Sequence, residues 1–180
     1  RRRPCRARPG SFRVVNKRDR YHFDELPSAP LIPGASYDGG VAGNVGDDPI
    51  AKLLPVGNSG GIRSAGAIHS PHLVVLYSTA DQPEWTDRIV EGIVTYHGDN
   101  RTPGQGLLET PRHGNRLLHG MAEQGFPSPS DQCPFLVFTK GESGPPRSVR
   151  FNGLAIIGPA GIPAPDWLVA KWFTCDTGSF

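Results

Sequence analysis

Glycine and proline limit this chain more than any other feature. The chain has 23 Gly and 19 Pro among 180 residues, and from Phe23 onward they separate short apolar runs with turn-forming clusters. Such punctuation suits a β-sandwich or barrel and disfavours a bundle of long helices. The strongest strand candidates are residues 73–77 (LVVLY), 93–96 (IVTY), 135–138 (FLVF), 154–157 (LAII) and 167–173 (WLVAKWF), each short and rich in β-branched or aromatic residues. Two helices fit between them. One follows Asp48, where Pro49 suits a first helical position; the other runs from about Asn115 to Gln124 and is closed by Gly125. The expected class is therefore α+β and mainly β. At this length, one domain with a tail buries a full core.

Charge divides the chain. Residues 1–20 hold nine of the 19 Lys and Arg and only one acid, Asp19, which leaves ten bases against sixteen acids in the rest. The basic segment lacks hydrophobic periodicity and repels itself, so residues 1–22 are expected to be a disordered tail and 23–180 the folded domain. A mildly acidic body rules out DNA binding through the overall field; any phosphate contacts must come from a local arginine cluster. No apolar run approaches the roughly 20 residues that span a bilayer, so no membrane partner is expected. Three scattered cysteines do not make a disulfide framework or a zinc pair. With Arg1 in place of a methionine and no apolar signal segment, the chain is expected to be a cytosolic fragment.

Motifs that suggest catalysis do not assemble a site. GNSGG at residues 57–61 resembles the loop around a serine-protease nucleophile, but Asn58 replaces the acid, Ile62 follows, and no upstream histidine segment supplies the base. Its glycines suit a tight turn or a close approach to a ligand. His69 with His72, and His113 with His119, lack the spacing and the third ligand of a metal site. The acids Asp47, Asp48, Glu109 and Glu142 are scattered, and Lys140 precedes Glu142 in the wrong order for a Glu-x-Lys nuclease element. No catalytic residue, metal ligand or cofactor is assigned to this chain.

Residues 77–116 carry the most chemistry. Tyr77, Trp85 and Tyr96 lie close in sequence to Asp81, Asp87 and Asp99, and Arg101, Arg112 and Arg116 follow. A nucleobase extruded from a duplex needs such a set: aromatic faces, a carboxylate to accept from the cytosine amino group, and cations for the backbone. The same residues also read as half-buried strand tyrosines and a loop anchor.

Three segments, residues 36–66 (SYDGGVAGNVGDDPIAKLLPVGNSGGIRSAG), 84–104 (EWTDRIVEGIVTYHGDNRTPG) and 107–118 (LLETPRHGNRLL), resemble the N-terminal domain of AspBHI-type modification-dependent restriction endonucleases, as does WLVAKWF. GNxGGxR together with YxGDNRxPG is far more specific than either alone. The resemblance implies an SRA-like curved β-barrel with flanking helices that flips 5-methylcytosine, or a related base, out of double-stranded DNA into an aromatic pocket. It implies Trp85 and Tyr96 as stacking residues and Asp87 at the base's Watson-Crick edge, with Tyr77 and Asp81 in reserve and Asp99 nearby. The loop holding Asn58, Ser59, Gly60, Gly61 and Arg63 would approach the DNA, with Arg88, Arg101, Arg112 and Arg116 as phosphate or base contacts. Cleavage in that family belongs to a separate C-terminal nuclease module, for which Mg²⁺ is expected; homo-oligomerisation of the full-length parent is left open. A protein-interaction β-domain and an unassembled hydrolase are the competing readings.

Overall fold

The runs LVVLY and FLVF are apolar at consecutive positions, the pattern of strands buried on both faces. In the computed structural model, which describes residues 19–81, 86–100, 102, 104–123 and 133–156, they form two neighbouring interior strands of a six-stranded mixed sheet. The strands are β1 (Arg20–Tyr21), β2 (Ser36–Tyr37), β3 (Ile62–Ala67), β4 (Ser70–Ser78), β7 (Phe135–Lys140) and β8 (Val149–Ala155), in the order β1-β2-β8-β7-β4-β3. A separate hairpin joins β5 (Arg88–Val90) to β6 (Ile93–Thr95). Successive side chains on β4 face alternate sides. Val75 joins Tyr37, Ile50, Phe138 and Phe151 on one face, while Val74 and Leu76 join Ile62, Leu117, Met121 and Phe135 on the other. Phe138 and Tyr37 are fully buried, and each such burial stabilises the fold by roughly 1.5–3 kcal/mol.

Helix α1 (Pro49–Leu53) starts where expected, because Asp48 Oδ1 accepts from the Ala51 N–H at 2.9 Å and Pro49 occupies the first turn. Helix α2 (Gly114–Glu123) covers the second core face through Leu117 and Met121. The fold is thus mainly β with a few helices, but among the described residues the sheet is open, with β1 and β3 at its edges, and is not closed into the expected barrel. Two further expectations shift. Arg20 and Tyr21, assigned to the tail, form β1, because the Tyr21 ring stacks on Tyr37 with centroids 5.3 Å apart. The strand expected at 154–157 begins earlier, at Val149, where pairing with Lys140 and Tyr37 recruits it. Residues 1–18, Trp85, Arg101, Gln124, Gly125, Ile157 and the expected strand at 167–173 lie outside the described residues.

Strands β4 and β7 are parallel neighbours, so the chain cannot return through a tight turn and needs a long crossover. Residues 79–134 provide it. The β5–β6 hairpin, the HGDN segment and α2 all lie on this crossover, and Asp87 and Tyr96 on either side of the hairpin meet the C-terminal end of β4 at Ser78 and Tyr77.

Candidate functional site

A cavity of about 640 Å³ opens where the crossover meets the sheet. Its size lies within the range of small-molecule sites, roughly 300–1,000 Å³. One side is built from the sheet. Arg63, on β3 and only 6% exposed, donates from its two terminal nitrogens to Asp48 Oδ1 and Oδ2 at 2.7 and 2.9 Å. The same guanidinium donates through Nε to the Gly60 carbonyl at 2.8 Å and through Nη1 to the Gly57 carbonyl at 3.1 Å. Asp48 also caps α1, so a single buried ion pair ties the helix start, the GNSGG loop and β3 together. The Arg63 guanidinium sits 5.7 Å from the centre of the Tyr77 ring. Burial pushes the Tyr77 hydroxyl above its ordinary value, against the opposing pull of Arg63, so this side of the cavity presents a neutral phenol.

The crossover builds the other side. Asp87 accepts from Ser78 Oγ at 2.5 Å, from the His97 N–H at 2.8 Å and faces His97 Nδ1 at 3.3 Å. The Tyr96 hydroxyl reaches the Tyr77 carbonyl at 3.3 Å. It lies so close to Gly61 that a Cβ there would come within 2.2 Å of it, which is why the loop needs glycine at that position. Gly60 has φ +93°, and the Arg112 side chain lies across it. Each residue of the HGDN segment has a structural partner. Gly98 (φ +81°) leaves room for Asn115, Asp99 accepts from the Gly114 and Asn115 N–H groups at the start of α2, and Asn100 bonds the turn at Thr102 and Gln105.

The sequence candidates therefore separate. Tyr77, Asp87, Tyr96, Asp99, Asn58, Ser59, Gly60, Gly61, Arg63 and Arg112 all line the cavity. Asp99 does so while capping α2, and Arg63 while bracing the loop from within. Asp81 is exposed beyond the end of β4, where it accepts from Thr79 Oγ1. Arg88 on the hairpin and Arg116 on α2 are exposed and do not line the cavity. Trp85 and Arg101 are outside the described residues. Among the lining residues that sequence reasoning missed are His97 and Arg147. His97 lies inside the quoted YHGDN motif. Arg147, exposed with φ +66°, comes from the β7–β8 loop, and its only sequence signal is the turn-forming PPRS around it.

The lining combines aromatic, acidic and basic groups. It offers two aromatic rings, a carboxylate with further acceptor capacity, and exposed arginines at Arg112 and Arg147. Ser59 shares the cavity with the Asp87–His97 pair, but Ser59 makes no hydrogen bond to His97, so no nucleophile–base contact is formed. Among the described residues, no three His, Cys, Asp or Glu side chains gather as a metal site, and no helix is long and apolar enough to cross a membrane.

Comparison with known proteins agrees with the residue-level resemblance. The family model of the restriction endonuclease AspBHI N-terminal domain matches residues 31–180. The DNA recognition domain of the cytosine modification-dependent restriction endonuclease LpnPI is 37% identical, with a TM-score of 0.76 over 84% of this chain and 70% of that one. The DNA modification-dependent restriction endonuclease AspBHI is 36% identical, with a TM-score of 0.71 over 82% of this chain and 69% of that one. No curated protein sequence matches the chain. With 150 consecutive residues under one family model and a shared fold at more than a third identity, the chain belongs to the family of restriction endonuclease AspBHI N-terminal domains.

Proposed function

We propose that this domain is the DNA-recognition module of a modification-dependent restriction endonuclease, and that it reads 5-methylcytosine or a related base by flipping it out of the duplex into the cavity. The observation that carries the reading is the convergence of Tyr77, Tyr96 and Asp87, from two different parts of the chain, on one open cavity beside Arg112 and Arg147. Extruding a base costs a few kcal/mol, and each aromatic stack returns roughly 1–3 kcal/mol. Two tyrosines can therefore offset the extrusion. Asp87 supplies the acceptor for the cytosine amino group. Its existing bonds to Ser78 and His97 hold the carboxylate in place before the base arrives. Arg112 and Arg147 supply local phosphate contacts in a body whose net charge does not favour DNA. The SRA-like mode of binding implied by the sequence resemblance fits this arrangement. DNA cutting belongs to a separate module in this reading, and no metal-dependent step is assigned to the cavity.

Titrating modified and unmodified duplexes of one sequence at a fixed salt concentration tests the proposal. Tighter binding of the modified duplex by about tenfold or more is expected, equivalent to ~1.4 kcal/mol. Equal affinity for both would remove modified-base reading.

A further inference from the structure

The cavity leaves the most uneven feature of the sequence without a role. Residues 1–18 carry eight Lys and Arg, seven of them Arg, and no acid, so this segment holds a formal charge of +8. Residues 19–180 carry eleven bases against seventeen acids and are net −6. The segment also precedes residue 31, where the match to the family begins, so the shared domain does not account for it.

The first described residues fix where the segment joins the fold. Arg20 in β1 donates through Nε to Asp38 Oδ1 at 2.9 Å and through Nη2 to the Ser143 carbonyl in the β7–β8 loop. His22 Nδ1 faces the second Asp38 oxygen at 2.9 Å. Gly39 packs so closely on the same loop that a Cβ there would come within 2.1 Å of the Pro146 carbonyl oxygen and 3.0 Å of Arg147. Strand β1, the residues after β2 and the β7–β8 loop are thus one block, and that loop carries Arg147 to the cavity. Asp38 neutralises Arg20, and the eight bases before it join the fold one loop away from a cavity arginine.

We infer that residues 1–18 are a second DNA-binding element, with the backbone phosphates that flank the cavity's footprint as its partner. This rests on the proposal that DNA engages the domain at the cavity. Duplex DNA carries one negative charge per about 1.7 Å of axis and releases condensed counterions when protein cations replace them. The net −6 of the body, spread over a folded surface, offers no such gain. Arginine is the cation that pairs with phosphate through two parallel N–H groups. Eighteen residues reach at most about 60 Å, and one turn of duplex is about 34 Å, so the segment reaches phosphates more than a turn away from the modified base. A body whose net charge opposes DNA thereby gains attraction without reading sequence: the cavity selects, and the segment holds.

The test compares the whole chain with its R1Q/R2Q/R3Q/R6Q/R8Q variant on modified and unmodified duplexes of about one and about three helical turns, titrated across a salt series. On the longer duplex the variant should bind about tenfold more weakly or worse at low salt, and its salt slope should fall by about two units or more, since each phosphate contact contributes about 0.9. On the shorter duplex the difference should shrink, a length dependence that a folding defect would not reproduce. The preference for modified over unmodified DNA should be the same in both proteins, because the cavity is untouched. Equal affinity and equal slope on the longer duplex would overturn the inference while leaving base reading in place. Tighter binding by the variant would mean that the segment covers the acidic body and competes with DNA, and would overturn it equally. Absence of any preference in both proteins would instead remove the base-reading proposal, with the salt slopes still deciding the role of residues 1–18.

Discussion

Arg63 and Asp87 line the same cavity, yet they are held by different means. Arg63 is buried in the sheet side, and its partner Asp48 is itself fixed at the start of α1, so that side is braced from behind. Asp87 sits half-buried on the crossover and is held by one hydroxyl, one backbone N–H and one histidine ring, next to a two-stranded hairpin that contributes no residue to either core cluster. Isolated two-stranded hairpins are marginal. Segments with few buried apolar contacts open at low cost, and binding elements are drawn from them. In the proposed reading, the sheet side is the fixed surface and the crossover carries the groups that would discriminate. Stability and selectivity should be separable by mutation.

The largest expected effect is on the sheet side. Arg63→Ala leaves Asp48 buried without its partner and should destabilise the domain by about 3–5 kcal/mol in urea denaturation. A loss below about 1 kcal/mol would mean that the brace does not hold this side. On the crossover, Asp87→Ala should shift the urea midpoint little but remove about 1–3 kcal/mol of discrimination between modified and unmodified duplex. If selectivity survives, Asp87 does not contact the base. Gly61→Ala joins the two regions, because its Cβ displaces the Tyr96 hydroxyl. Affinity for modified DNA should drop by about tenfold, ~1.4 kcal/mol, while the midpoint moves far less than for Arg63→Ala. The smallest change is expected for Arg147→Ala, which should weaken modified and unmodified duplexes alike and lower the salt slope by about one. A change confined to modified DNA would place Arg147 on the base instead of a phosphate.

Legibility from sequence follows the same division. Helix α1 is readable because its cap and its proline are both local: Asp48, Pro49 and Ala51 lie within four positions. Strands β4 and β7 are readable because burial on both faces makes them continuously apolar. The start of α2 is less so, since its N–H groups are capped by Asp99 from fifteen residues upstream. The two-residue strands β1 and β2 have no periodicity to detect; pairing alone makes them strands. At the site, Tyr77, Asp87 and Tyr96 stood out by residue type, and they converge. Arg63 reads as a DNA contact in the sequence because Asp48 lies fifteen positions away, and only the fold reveals their pairing. Arg147 reaches the cavity from the β7–β8 loop, a neighbour created by sheet order and by nothing in the local sequence.

Photocrosslinking tests the central claim most directly. A duplex carrying 5-iodocytosine in place of the modified base, irradiated with the bound chain and mapped by mass spectrometry, should place the adduct on Tyr77 or Tyr96. Adducts found only on residues outside the cavity would contradict the account.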